Sequence, residues 1–214
     1  SLHDALPISI SSKPTRETNM EQVVRDMVGR SITEYYPGRT NEPGEIVLEV
    51  KNFCQDGLFN NISFKLRKGE ILGVAGLMGA GRTEIMRALF GVDSCKYGEV
   101  YLHGKKVCIK KPEDAIKAGI GFITENRKSE GLILDFSISR NIALPSVDTF
   151  AKRSVINAKN ETAFSEALSK KLGVKTASID LEAGALSGGN QQKVVIAKWI
   201  GMRSEEHTSE LQSR

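Results

Sequence analysis

The residue types best suited to chemistry lie in residues 76–83, which read Gly-Leu-Met-Gly-Ala-Gly-Arg-Thr. This stretch, here called the phosphate loop, fits the pattern Gly-x-x-x-x-Gly-Lys-[Ser/Thr], with Arg82 in place of the lysine. Glycines let backbone N–H groups converge on an anion, and the start of a following helix adds partial positive charge. We therefore predict that nucleotide phosphates bind Gly76, Leu77, Met78, Gly79, Ala80, Gly81, Arg82 and Thr83.

Two side chains of the phosphate loop have separate expected roles. The hydroxyl of Thr83 is placed to ligate Mg²⁺ beside the phosphates. A lysine would lie between the β- and γ-phosphates as a compact charge, whereas the wide, planar guanidinium of Arg82 fits that space poorly. We expect nucleotide binding with slow hydrolysis at this site. The competing interpretation is a glycine turn of purely structural use between a strand and a helix.

A second glycine-containing motif opens the last predicted helix, in residues 186–193, which read Leu-Ser-Gly-Gly-Asn-Gln-Gln-Lys. It resembles the signature of ABC ATPases, usually Leu-Ser-Gly-Gly-Gln, with Asn190 in the glutamine position. The hydroxyl of Ser187 and the amides at the helix start can hold a γ-phosphate. A serine-capped helix with glycines at its start is the alternative. The predicted signature motif comprises Leu186, Ser187, Gly188, Gly189, Asn190 and Gln191.

The two motifs, in this order and spacing, resemble an ABC nucleotide-binding domain. Further strings are similar to the ribose-, galactose- and xylose-type monosaccharide importers, which carry two such domains in one chain. In that family the second domain also has arginine in the phosphate loop and asparagine after the signature glycines. The strings that carry the resemblance are residues 27–30, 69–74, 77–84, 125–128 and 186–193, and it covers nearly all of residues 20–202.

The resemblance implies a fold and two further site assignments. The implied fold is α/β, a P-loop NTPase of the ABC type with an antiparallel β subdomain and a helical subdomain, truncated before the Walker B strand. Glu125 lies at the Q-loop position, where its carboxylate could serve a hard cation, although an exposed surface glutamate is the alternative. No residue clearly matches the aromatic that stacks on adenine. Phe53 and Phe59 are candidates, but each is better explained as a core residue.

Hydrophobic periodicity predicts the elements that must position these motifs. A buried-type strand precedes the phosphate loop, because residues 71–75 form a continuous apolar run. The predicted strands are 46–50, 62–66, 71–75, 98–103, 106–109 and 120–123. The predicted helices are 20–29, 83–89, 112–118 and 190–200, with a mostly helical stretch at 137–174.

Composition limits the classes of protein to which the chain could belong. Its 214 residues are 40% hydrophobic and carry a net charge of +4, with acidic and basic residues interspersed. This describes a globular protein, and short lysine pairs are better explained as solvated surface than as a nucleic-acid patch. No apolar run approaches the length of a membrane helix, so any membrane role must act through a partner. The three scattered cysteines fit reduced thiols better than a metal site or a disulfide.

The two ends of the chain look unlike the rest of it. DNA that encodes residues 5–8 has a reverse complement that can encode residues 203–206, as expected of a sequencing adaptor translated at both ends; ordinary disordered tails are the alternative. We expect adaptor-like, non-native segments at 1–9 and 203–214. Residues 10–44 are expected to hold the end of a first nucleotide-binding domain and a linker. Residues 45–202 are expected to be a partial second domain.

The resemblance implies a role in coupling ATP, with Mg²⁺, to the uptake of a monosaccharide. The implied partners are a first nucleotide-binding domain of the same parent chain, membrane permease subunits and, indirectly, a sugar-binding protein, but no nucleic acid. The implied location is the cytoplasmic face of the plasma membrane. Because the acidic Walker B residues and the switch histidine do not appear, we expect the chain alone to lack ATP hydrolysis and to fold poorly.

Two alternatives from other classes stay open at this point. A regulatory, non-hydrolysing nucleotide-binding half would explain Arg82. An ABC-type ATPase of DNA repair or chromosomes shares both motifs, but it carries long coiled-coil insertions between them, and no sustained heptads occur here. A small kinase or a GTPase would leave the signature motif unexplained.

Overall fold

The computed structural model describes residues 10–28, 42–152 and 155–202. The predicted non-native segments 1–9 and 203–214, and residues 29–41 of the predicted linker, lie outside the described residues. The chain divides into two compact units between Glu42 and Pro43. None of the helices in the described ranges is long and apolar enough to cross a bilayer.

The described part of the first unit contains a short 3-10 helix, Thr15–Glu17, and helix α1, Met20–Val28. The helix predicted from residue 20 is thus confirmed. Asn19 caps its start, since its Oδ1 accepts a hydrogen bond from the Gln22 amide at 2.9 Å.

The second unit begins with an antiparallel sheet in the order β2–β1–β3–β4. These strands confirm the four that period-two patterning predicts at 46–50, 62–66, 98–103 and 106–109. Val50 at the centre of the sheet pairs with both Phe64 and Val100, and its side chain is buried against the apolar face of helix α2. The bounds are β1, Ile46–Gln55; β2, Phe59–Arg67; α2, Arg82–Phe90; β3, Tyr97–Leu102; and β4, Lys105–Val107.

A group of helices follows and forms the second core of this unit. Ile138 and Ile142 are fully buried against Val194 and Val195 of the last helix. The mostly helical prediction for 137–174 is confirmed, except that a two-stranded antiparallel sheet, β5–β6, interrupts it. The bounds are α3, Pro112–Lys117; α4, Ile138–Ala143; α5, Val147–Phe150; β5, Ala151–Lys152; β6, Val155–Ile156; α6, Ala158–Lys171; and α7, Gly188–Gly201. Three single turns complete the unit: a π-type turn Arg127–Gly131 and 3-10 turns Leu144–Ser146 and Ala183–Ala185.

Two predicted strands, residues 71–75 and 120–123, do not form, so the prediction for them was wrong. Ile71 is 94% exposed rather than buried, and Ile123 is 53% exposed. A strand is stable only when a neighbour satisfies its N–H and C=O groups. In the described part of the chain neither segment pairs with a strand, and both therefore lack the hydrogen bonds of a sheet.

Candidate nucleotide-binding site

The phosphate loop links the exposed segment 71–75 to the start of α2. Gly79 and Gly81 both have φ of +80°, in the left-handed region that favours glycine, and Gly81 immediately precedes α2. The Ala80 amide donates to the Leu77 carbonyl at 3.1 Å and closes a tight turn. The side chain of Met78 is 97% exposed. The loop therefore has the turn geometry that the glycine pattern predicts, and its backbone is open to a ligand.

Thr83 and Glu125 come together although they are far apart in sequence. The Thr83 hydroxyl donates a hydrogen bond of 2.7 Å to Glu125 Oε1. Two hard oxygen donors thus lie side by side next to the phosphate loop, as Mg²⁺ requires when phosphates and water supply its other ligands. No group of three His, Cys, Asp or Glu side chains suited to a metal ion occurs in the described ranges. The Thr83 and Glu125 oxygens could supply two ligands to a cation that arrives with a nucleotide.

Arg82 is the first residue of α2, and its side chain turns back along the phosphate loop. A Cβ placed on Gly76 would lie 3.5 Å from Arg82 Cδ and 3.8 Å from its Cγ. The stem of the arginine therefore lies beside the first glycine of the loop, while the residue as a whole stays exposed. The guanidinium can reach a bound phosphate from the loop surface, as a planar donor rather than a point charge.

An open cleft of about 360 Å³ adjoins the phosphate loop. Its lining mixes apolar and polar side chains, which include Leu72, Val74, Arg82, Thr83 and Glu125. The cleft borders both segments that were predicted as strands. Arg82 and Thr83 of the phosphate loop therefore face a space that is open to a ligand.

The two phenylalanines considered for adenine stacking lie in the core. Phe53 is 4% and Phe59 is 9% exposed, and their rings stack on each other at 5.7 Å between centroids. The turn before Phe59 does approach the loop, because a Cβ on Gly81 would lie 3.0 Å from the Leu58 carbonyl oxygen. Leu58 is half exposed there. The nearest side-chain atom to that position is Phe59 Cβ, at 3.8 Å, so the backbone of Leu58 and the Cβ of Phe59 lie at the end of the phosphate loop.

The signature motif forms the start of α7. Ser187 is the N-cap residue, but its hydroxyl does not cap the backbone; Ser187 Oγ instead accepts a hydrogen bond of 3.0 Å from Asn190 Nδ2. The hydroxyl proton of Ser187 is therefore free to be donated to an anion, beside the first N–H groups of the helix, which have no partner within it. A Cβ on Gly189 would meet nothing within 4 Å, so the face is open.

The rest of the signature motif is anchored to the helical core. Leu186 packs against the cluster around Ile138 and Val194, and Asn190 Oδ1 accepts from the Lys175 amide at 2.9 Å. Gln191 is buried, and its Nε2 donates to the Ala183 carbonyl at 3.2 Å. These contacts hold the polar groups at the helix start in a fixed arrangement.

The structure brings some predicted site residues together and leaves others apart. Thr83 and Glu125 are in contact, as described. No hydrogen bond or ion pair between described residues joins the phosphate loop to the signature motif. Each motif is therefore a separate candidate phosphate site at the start of its own helix.

Sequence reasoning assigned no role to Arg127, Glu130 and Lys198, all of which contact the site elements. Arg127 Nε donates to Gln191 Oε1 at 3.3 Å, and Glu130 pairs with Arg87 of α2 at 3.4 Å. Lys198 is buried and donates to the Gly131 carbonyl at 3.0 Å, and burial lowers the pKa of its ammonium group. Residues 125–128 carry part of the family resemblance, but the spacing of these residues does not indicate which of their side chains faces α7.

Solved structures support the fold. The chain resembles the dimeric ATP-binding cassette MJ0796 in a post-hydrolysis state bound to ADP and Pi, with a TM-score of 0.58, 21% identity, and coverage of 72% of this chain and 69% of that one. It also resembles the ADP conformation of the cassette MJ1267, with a TM-score of 0.59, 20% identity, and coverage of 74% and 65%. These similarities confirm the predicted α/β cassette fold.

Curated relatives are much more similar in sequence. The chain is 55% identical over 194 residues to the ribose import ATP-binding protein RbsA of Oceanobacillus iheyensis, covering 91% of this chain and 39% of that protein. It is 58% identical over 186 residues to the protein of the same name from Bacillus subtilis, covering 87% and 38%. The chain thus spans about two fifths of the length of these relatives.

A family model described as ABC transporter matches residues 59–205, which is more than half of the chain. That range contains the phosphate loop, Glu125 and the signature motif. The relatives, the fold and this match agree with the resemblance carried by the two glycine motifs. The chain belongs to the ABC transporter family of ATP-binding proteins.

Proposed function

We propose that this chain is part of the ATP-binding subunit of an ABC importer for a monosaccharide. The subunit would couple ATP binding and hydrolysis to sugar uptake through a membrane permease. The names of the relatives point to ribose as the sugar. The chain itself would supply one nucleotide-binding half, since it spans about two fifths of their length.

One observation carries the proposal: α2 and α7 each begin in a glycine-rich segment with a hydroxyl side chain at the start. Thr83 lies at the start of α2, within 2.7 Å of a carboxylate, and Ser187 lies at the start of α7 with a free proton. Two separate phosphate sites in one domain are of use when two domains share two nucleotides. A single ATP would not need both of them.

In the proposed assembly this domain meets the first nucleotide-binding domain of the same parent chain head to tail. The phosphate loop here would hold one ATP, and the signature motif here would contact the γ-phosphate of the ATP held by the other domain. The other domain would also supply its own signature to this site. Closure of the pair around the nucleotides would drive the permease, and a sugar-binding protein would deliver the substrate. Such a subunit works at the cytoplasmic face of the membrane and binds no nucleic acid.

The cofactor of this reaction would be Mg²⁺ bound with ATP. When bound, it neutralises charge on the β- and γ-phosphates. Thr83 and Glu125 would hold it, and Glu125 would release the Thr83 hydroxyl in order to do so. The amides of the phosphate loop would bind the phosphate oxygens, and Arg82 would contact them from the loop surface.

A second candidate function follows from Arg82. If the arginine slows hydrolysis enough, this half would bind ATP mainly to regulate closure, while the other half carries turnover. The two candidates differ only in whether this site turns over ATP.

The proposal is tested in a full-length chimera, in which residues 45–202 of this chain replace the matching segment of the Bacillus subtilis relative. The chimera is expressed in cells that lack their own ribose import subunit. ATP-dependent ribose uptake by these cells supports the proposal. Uptake no better than in cells without the subunit, with the chimera present at normal levels, would overturn it.

Thr83→Ala is predicted to weaken the effect of Mg²⁺ on ATP affinity at this site. Without the hydroxyl, Glu125 alone binds the cation, and ATP affinity in the presence of Mg²⁺ should fall about tenfold, while affinity in EDTA stays unchanged. The measurement is equilibrium ATP binding to the chimera with the other phosphate loop disabled. Thr83→Ser keeps the ligand oxygen and is the matched control. Equal Mg²⁺ dependence in the alanine and serine variants would contradict the assignment.

A further inference from the structure

Residues 124–131 connect the two candidate phosphate sites, and we call them the bridge segment. On one side the bridge segment is attached to α2 through two carboxylates. Glu125 accepts from Thr83 at 2.7 Å, and Glu130 pairs with Arg87 at 3.4 Å. Arg87 also pairs with Asp93 at 2.8 Å, and this pairing raises the pKa of its guanidinium.

On its other side the bridge segment is attached to α7. Arg127 Nε donates to Gln191 Oε1 at 3.3 Å, and a Cβ on Gly188 would lie 2.6 Å from Arg127 Nη2. Lower on the helix, Lys198 donates to the Gly131 carbonyl at 3.0 Å. Gly188, Gln191 and Lys198 recur at the three- and four-residue spacing of one helical face. The bridge segment thus lies along α7 from its first turn to its last.

The bridge segment itself has little freedom to deform. Asn126 Oδ1 accepts from the Lys128 and Ser129 amides at 3.1 and 3.3 Å and caps the π-type turn Arg127–Gly131. Gly131 is buried, and a Cβ there would lie 3.2 Å from Val195 Cγ2. A segment fixed at both ends and capped inside transmits a displacement rather than absorbing it.

The Arg127 guanidinium lies at the start of α7, where its positive charge is unfavourable for the helix when no anion is bound. A cation beside the first turn of a helix opposes the positive end of the helix dipole. The placement becomes favourable when an anion is bound at the same helix start, because the anion interacts with both charges. The position of Arg127 is therefore better explained if the start of α7 binds phosphate than if the contact serves only to stabilise the helix.

We propose that Arg127 is a positioning residue for the signature motif: it fixes Gln191 and the start of α7 relative to the Thr83–Glu125 pair. This inference rests on the proposed function, because it concerns the ATP that the signature motif shares with the other domain. Arg127 acts through Gln191 and Gly188.

The test uses the full-length chimera and separates kcat from KM. Arg127→Ala should lower kcat for ATP about tenfold, because a misplaced donor loses most of its effect on the reacting phosphate. The KM for ATP and the thermal midpoint should stay close to those of the parent chimera, since the phosphate loops are intact. Gln191→Ala should also lower kcat, and the double variant should lose less than the product of the two single losses, because Arg127 and Gln191 share one contact although Gln191 also holds the Ala183 carbonyl.

Lys128→Ala is the matched control, because Lys128 has the same charge, follows Arg127 in the same turn, and is exposed. It should keep the parent kcat. An Arg127→Ala variant with the parent kcat, or one that loses kcat only together with its thermal midpoint, would overturn the inference. So would losses that multiply in the double variant. If the parent chimera itself neither imports ribose nor hydrolyses ATP, the proposed function fails instead, and the two failures are thus distinguishable.

Discussion

Ser187→Arg in the full-length chimera is expected to lower total ATP turnover by about 100-fold or more, the effect of losing an aligned donor to developing charge. The serine lies exposed at the start of α7, with its oxygen held by Asn190 and its proton free. Arginine removes that proton donor and fills the open face beside Gly189 with a long side chain. The nucleotide held by the other domain would then meet no aligned donors, and the two halves could not close around it.

The measurement is steady-state ATP hydrolysis together with equilibrium ATP binding. Binding should stay near the parent value, because both phosphate loops are unchanged. Ser94→Arg is the control, since Ser94 is also exposed and lies outside both motifs. Turnover by the Ser187→Arg variant equal to that of the Ser94→Arg variant would show that the signature motif of this chain contacts no nucleotide.

Arg82→Lys is expected to raise ATP turnover at this chain's own site, by about tenfold or more. The stem of the arginine lies along Gly76, so its planar head reaches the phosphates from the loop surface. A lysine could place a compact charge between the β- and γ-phosphates, where charge develops during transfer. The gain must be read in a chimera whose other phosphate loop is disabled, so that only this site contributes.

The control for this prediction is ATP affinity, which should change little, because both residues carry one positive charge and the backbone nest does most of the binding. Arg82→Gln, which removes the charge, should weaken binding without a gain in turnover. If the arginine and lysine forms hydrolyse ATP at the same rate, Arg82 does not limit the chemistry. The regulatory alternative would then lose its basis.

The elements that the sequence predicted well include a local hairpin and a helix with an apolar stripe. The strands 46–50 and 62–66 are joined by a short turn and pair directly, so the loose alternation of the first and the clean alternation of the second are sufficient to place them. Helix α7 has an apolar stripe that fits the core around Ile138. In these cases the local pattern and the packing agree, and only the bounds shift by a few residues.

The predictions that failed concern strands whose pairing is not local. Residues 71–75 and 120–123 have the continuous apolar composition of central parallel strands, but composition specifies only what a segment could bury. Pairing depends on a neighbour with free N–H and C=O groups, and none of the described strands pairs with them. The high exposure of Ile71 is the physical consequence.

The sequence was sufficient to predict the two glycine motifs of the candidate site, but it did not predict the side-chain contacts between the site elements. The phosphate loop requires positive φ at two positions, and the sequence places Gly79 and Gly81 at those positions. The contact between Arg127 and Gln191 joins residues 64 positions apart, and no periodicity relates them. The interpretation of Phe53 as a core residue rather than an adenine-stacking residue is confirmed, because its ring packs in the core of the antiparallel sheet.

We propose that the signature motif of this chain and the phosphate loop of the other domain hold opposite sides of one triphosphate. Vanadate trapped with MgADP mimics the transferring phosphate, and ultraviolet light then cleaves the backbone next to it. In the full-length chimera we expect cleavage within residues 186–190 of this chain as well as in the phosphate loop of the other domain. Cleavage confined to the phosphate loops, with residues 186–190 intact in fully trapped protein, would contradict it.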